Sequence, residues 1–105
     1  MNLSGVCEKY CDKDALWVEV GEDDSYIFFD SNPLDIEDFT IYLSVVDNAI
    51  KNINKELGIP GYIYELLSNT TYAQGVQIFR FEDLGIELRW SYHPDKGIEM
   101  FYLKI

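Results

Sequence analysis

GIELRWSYHPDKGIEMFYLKI, residues 85–105, decides the fold. Its first half alternates, with Ile86, Leu88, Trp90 and Tyr92 on one side of an extended chain and Glu87, Arg89, Ser91 and His93 on the other. A period of two marks a β-strand with one face in a core and one in water. HPDKG then turns the chain, because Pro94 presets φ and Gly97 accepts a positive one. In the strand that follows, Ile98, Met100 and Tyr102 oppose Phe101, Leu103 and Ile105, which predicts cover on both faces. Upstream, YAQGVQIFRFE runs into the turn Asp83-Leu84-Gly85, so residues 72–105 predict a three-strand meander.

The N-terminal part holds two more strand patterns. ALWVEV places Leu16, Val18 and Val20 on one face and Trp17 and Glu19 on the other, GEDDS turns, and YIFFD returns, a hairpin over residues 15–30. A helical turn through Val6 and Tyr10 precedes it. SNPLDIEDF carries helix-start chemistry: Ser31 or Asn32 to cap, Pro33 in the first turn, and Asp35, Glu37 and Asp38 where the helix dipole favours anions. Ile36, Phe39, Leu43, Val46, Ile50, Ile53 and Leu57 then recur at three-and-four spacing, predicting one long amphipathic helix over 34–57. Gly58 supplies a left-handed stop and Pro60 blocks continuation. GYIYELLSNTT reads as short helix or strand, and Glu65-Leu66-Leu67 favours a helix over 61–68. The order ββ-α-α-βββ in 105 residues predicts a single α+β domain, a mostly antiparallel sheet of about five strands with the long helix on one face.

Charge is the unusual property. Nineteen acids against eight bases leave a net of −11, and residues 12–38 alone hold ten acids against one base, Lys13. Direct nucleic-acid binding, which rests on clustered Lys and Arg, is not expected. No apolar run approaches the roughly 20 residues of a membrane span, and Met1 leads into NLSGVCEKY without a signal-peptide pattern, which predicts a cytoplasmic protein. Cys7 and Cys11 read as free thiols, too few with the single His93 for a zinc site. No phosphate-binding glycine motif or calcium-loop spacing occurs, so neither cofactor nor metal is expected. His93 reads as a solvated turn residue, and Glu82, Asp83 and Glu87 as solvating charge at a hairpin, so no catalytic residue is expected and the protein reads as non-enzymatic.

The acidic segment has two readings, a solvated face or a surface complementary to a basic partner. LWVEVGEDDSYIFFDSNPLDIEDF and the closing meander GIELRWSYHPDKGIEMFYLKI give the chain its resemblance to the small acidic bacterial immunity proteins of contact-dependent growth inhibition. The resemblance is one of class, covering the whole chain, and transfers no diagnostic residue. It implies a cytoplasmic antitoxin that neutralises the C-terminal domain of a delivered toxin, commonly a nuclease acting on tRNA or DNA. The expected contact residues are Glu22, Asp23, Asp24, Asp35, Glu37 and Asp38, with Glu82, Asp83, Trp17 and Tyr26 as neighbours. The alternative is a self-associating or regulatory domain, a homodimer through a free strand edge at Leu103 and Ile105.

Overall fold

The computed structural model describes residues 2–12 and 14–105; Met1 and Lys13, the one base counted in the acidic segment, lie outside the described residues. In chain order the elements are α1 (Leu3–Tyr10), β1 (Val18–Val20), β2 (Tyr26–Asp30), α2 (Thr40–Leu57), α3 (Gly61–Ser68), β3 (Gln77–Phe81), β4 (Ile86–His93) and β5 (Gly97–Lys104). Five strands form one antiparallel sheet in the order β1-β2-β5-β4-β3. The architecture is the expected α+β, with the hairpin and the meander joined where β5 pairs with β2.

The β4 alternation holds for the core face but not for the wet one, where Glu87, expected as solvating charge, is buried. Ile86, Leu88 and Trp90 are buried with Ile27, Phe29, Met100 and Tyr102 from the neighbouring strands, against Val46, Ala49, Ile50 and Ile53 of α2. β5 is covered on one face only, not two: Met100 and Tyr102 are buried while Phe101 is exposed. β5 is also the central strand, so Leu103 lies between Tyr26 and Glu87 rather than at an edge.

Two hydrogen bonds fasten the helices to the sheet. The buried Tyr102 hydroxyl donates to Asn54 Oδ1 of α2 at 2.5 Å, and Trp90 Nε1 donates to Thr70 Oγ1, just past α3, at 2.8 Å. Burial pushes the Tyr102 phenol well above its ordinary range, so it remains a donor. Among the described residues, Asn54 Nδ2 has no hydrogen-bond partner.

Several local expectations are corrected. α2 begins at Thr40, not at residue 34. Asn32 does not cap it; its Oδ1 accepts from Ile36 N–H, and its Nδ2 donates to the carbonyls of Ile36 and Asp95, holding 31–39 as a loop against the β4–β5 turn. Ser31 Oγ also accepts from Ile98 N–H at 2.7 Å, and a Cβ on Gly97 (φ +68°) would stand 2.3 Å from that Oγ, so only glycine fits. Ile36, in that loop, and Leu43, within α2, both expected on the buried stripe, are exposed. In the first hairpin β1 starts only at Val18; Trp17 sits in the preceding turn, buried and stacked on Phe29 at 5.9 Å, while Leu16 is exposed. α1 buries Leu3 and Cys7 rather than Val6 and Tyr10. α3 spans the expected residues, and Gly58 ends α2 in the left-handed conformation (φ +76°).

α1 is held at both ends. Asn2 Oδ1 accepts from Gly5 N–H at 2.8 Å, while the Asp24 carboxylate takes the N–H groups of Leu3 and Ser4 and pairs with Lys104 Nζ at 2.8 Å. At the other end Tyr10 and Lys9 both donate to Glu56 Oε1 of α2. Partial burial pushes the Asp24 carboxyl up, but Lys104 and the two backbone donors outweigh it and hold the group at about 2.

Two outcomes follow from these bonds. Tyr102→Phe leaves Asn54 buried with neither polar atom satisfied and is expected to cost about 1–3 kcal/mol in urea unfolding, while adding Asn54→Leu recovers most of that loss. Asp24→Asn is expected to lower stability at neutral pH by about 1 kcal/mol, the scale of a lost helix cap on a partly solvated pair. Its folded pKa lies below the unfolded value of about 3.9, so the contribution is complete above that pH and is lost as pH falls towards about 2. Thermal melts from neutral pH downward should show the gap between variant and parent closing across that window; a constant gap would remove the charge from the explanation.

Candidate functional site

The acids do not make one surface. β2 runs from the turn that bears Glu22, Asp23 and Asp24 to the loop that bears Asp35, Glu37 and Asp38, so its five residues separate the two groups by about 17 Å. The turn of Glu82 and Asp83 joins the first group, because the end of β5 lies between them: Lys104 N–H donates to the Ser25 carbonyl and Ile105 N–H to that of Gly85. One end of the sheet therefore carries Glu22, Asp23, Glu82 and Asp83, all exposed. Asp24 is committed to α1 and Lys104 and is less available to a partner. Asp23 and Asp24 both adopt left-handed backbone (φ +56° and +61°), which Asp tolerates better than bulkier residues and which turns the Asp24 carboxylate into the fold.

The opposite end combines charge with apolar surface. Asp35 (φ +53°) pairs with Lys96 at 3.0 Å and Glu37 is exposed beside it. Asp38 Oδ1 accepts from Thr40 Oγ1 at 2.7 Å and from Thr40 N–H at 3.2 Å, bonds that hold its carboxyl below the usual range and anchor the first turn of α2. Among these acids stand Leu34, Ile36 and Ile41, the last 79% exposed.

Next to them a cleft of about 710 Å³ opens between α2, the end of α3 and the β4–β5 hairpin. Leu43, Leu67, Tyr92 and Ile98 give it apolar walls; Thr40, Ser44, Asp47 and Thr71 give it a polar rim. Asp47 is anchored by the Tyr64 hydroxyl at 2.5 Å and by Lys51 at 3.3 Å. Mostly apolar walls with a few fixed polar groups suit an inserted side chain or a small apolar ligand. Sequence reasoning missed this cleft, since Leu43 reads as one more position of the helix stripe and the other walls, Leu67, Tyr92 and Ile98, are distant from it in sequence.

The two aromatic neighbours differ. Trp17 is 9% exposed and offers a partner little surface. Tyr26 lies on the open sheet face, edge-on to Phe101 at 5.9 Å, with Phe28 at 4.4 Å from the same ring. On that face the Glu87 carboxylate is largely covered, 2.7 Å from Arg89 Nε and 3.8 Å from Arg80.

His93 Nδ1 accepts from Asp95 N–H at 3.0 Å, and its ring packs on Tyr72. Cys7 and Cys11 are free thiols near the end of α1; their mutual hydrogen bond lowers Cys7 and raises Cys11. Among the described residues no three His, Cys, Asp or Glu side chains converge to hold a metal ion, and no helix is long and apolar enough to cross a membrane. In comparison with known proteins the chain matches no family model, no curated protein and no solved structure.

Proposed function

We propose that the protein is a non-enzymatic inhibitor of the immunity type, a cytoplasmic chain that neutralises a basic toxin domain, a nuclease acting on tRNA or DNA, by binding it one to one. The observation that carries this reading is the grouping, at one end of the sheet, of exposed acids with exposed aliphatics and an apolar cleft. Asp35, Glu37 and Asp38 stand beside Leu34, Ile36 and Ile41, and the cleft opens behind Thr40. This is the anatomy of a protein interface, a charged rim around apolar anchor positions. A nuclease displays Lys and Arg to hold phosphates, and carboxylates that replace those phosphates draw it in and exclude its substrate. An apolar side chain of the toxin seated in the cleft supplies the specificity that charge lacks.

In this arrangement the distant group of Glu22, Asp23, Glu82 and Asp83 acts through its field on the rate of approach rather than by contact. Asp24 and Trp17 serve the fold.

The test begins with capture from a lysate of the source cell at low salt and elution by a salt step, expecting a basic nuclease whose activity one equivalent of the protein abolishes. With that partner in hand, Glu37→Lys is expected to cut the association rate by about tenfold at low salt, with the difference shrinking at high salt. Ile41→Ser, at a largely exposed position, should instead speed dissociation. A partner without an excess of Lys and Arg, or rates unchanged in both variants, would discard the proposal.

A further inference from the structure

The sheet has two edges, and they are treated differently. β1 is three residues long, carries Glu19 and runs into the acidic turn Glu22–Asp24. Shortness and charge are the ordinary guards against edge-to-edge pairing. β3, at the other edge, is five residues of QIFRF with a single charge, Arg80. Val76 just before it is 62% exposed and Ile78 within it 53%. On the helix side Phe79 and Phe81 are only half-buried, although Phe79 stacks flat on Trp90 at 5.2 Å. Apolar side chains thus stand incompletely covered on both faces of an edge strand whose outward backbone groups have no neighbouring strand.

What covers this edge follows from charge. Residues 66–81 contain no acid and one base in a chain of net −11. Arg80 is offset within the chain by Glu82 at 3.5 Å and Glu87 at 3.8 Å. A cationic partner finds no acid within residues 66–81 to draw it onto this strand; the exposed Glu82 and Asp83 lie beyond its end. Two copies of the chain, which repel each other over most of their surfaces, have every reason to meet here.

We infer that the chain forms a twofold dimer in which β3 pairs antiparallel with β3 of a second copy, extending the sheet to ten strands. Antiparallel pairing sets the Glu82 end of one strand against the Val76 end of the other, so the acids of the two β3–β4 turns do not face each other. It brings Val76 and Ile78 of one copy onto the apolar positions of its mate and completes the cover over Phe79 and Phe81. The contact is isologous and closed, leaving β1 as the guarded outer edge on both sides. It lies at the far edge of the sheet from the hairpin that carries Glu22 and Asp23, and does not depend on the inhibitor reading.

Sedimentation velocity on the full chain, from micromolar to millimolar concentration at low and high salt, tests it. The expected result is a monomer–dimer equilibrium in which added salt favours the dimer by screening repulsion, the reverse of its effect on an acid-steered complex. Ile78→Lys is expected to weaken the dimer at least tenfold with circular dichroism and melting temperature unchanged, while Glu19→Lys at the opposite edge leaves the dimer intact. As a second readout independent of any variant, amide exchange at Gln77–Phe81 should slow as protein concentration rises. A monomer at every concentration and salt, a dimer indifferent to Ile78→Lys, or exchange at β3 that ignores concentration would overturn the inference.

Discussion

The fold depends on what sits over the middle of the sheet. β5 is the central strand, and Tyr102 on it pairs across to Ile27 and Leu88, meets Phe29 edge-on at 5.9 Å and gives its hydroxyl to Asn54 of α2. A phenol buried at that point needs an acceptor, and the acceptor has to come from a helix, because the strands on either side have spent their backbone groups on one another. That requirement places α2 across β5 and fixes which turn of the helix faces the sheet. The helical layer ends up wholly on one side. The other face is left to its own side chains, which manage it with the Phe28–Phe101 pair and a Glu87 carboxylate clasped by Arg89.

The same economy governs the ends of the sheet. Each end needs groups that close irregular backbone, and the acidic and amide side chains there divide between that task and solvent. Asn32 and Ser31 brace the loop before α2 against the β4–β5 turn, and Asp24 closes the start of α1. The carboxylates not drawn into such bonds, Glu22, Asp23, Glu37, Glu82 and Asp83, remain exposed. An acid count from sequence therefore overstates the charge offered to a partner, and only the local hydrogen bonds separate the two kinds.

Regular elements were legible in the sequence where a single local signal governs them. The two-residue period of β4, the glycine stop after α2 and the limits of α3 all depend on neighbours within a few positions. Misreadings arose where a distant partner took over a residue with strong local preference. Asn32-Pro33 has the composition of a helix start, yet the Asn32 amide binds a carbonyl 63 positions away, and the helix waits until Thr40. Trp17 breaks the alternation of its strand because the space over Phe29 accepts an indole. Phe101 and Leu103 read as core because nothing local distinguishes an apolar residue on an open face from one on a covered face. The candidate site suffered most, since the walls of the cleft come from residues distant in sequence, and the acids are divided by the length of β2 between them.

Strand order turns this uneven charge into a directional property. β1 and β2, flanked by most of the acids, lie on one side of the sheet, and the acid-free stretch leading into β3 lies on the other. Four strand spacings of about 4.8 Å put roughly 19 Å between β1 and β3. The Debye length at physiological ionic strength is about 8 Å, so the field of the acidic side has largely decayed before it reaches the β3 edge. Of the acids closest to that edge, Glu82 and Glu87 are matched by Arg80 and Arg89, while Asp83 in the same turn faces solvent beyond the end of β3. One side of this small domain can thus draw in a cation while the other behaves as a nearly neutral, apolar strand. The separation requires β5 to lie between β2 and β4: a sheet built in simple chain order would bring the β2 edge against β3 and place the acid-rich hairpin directly beside the one segment that carries no acids.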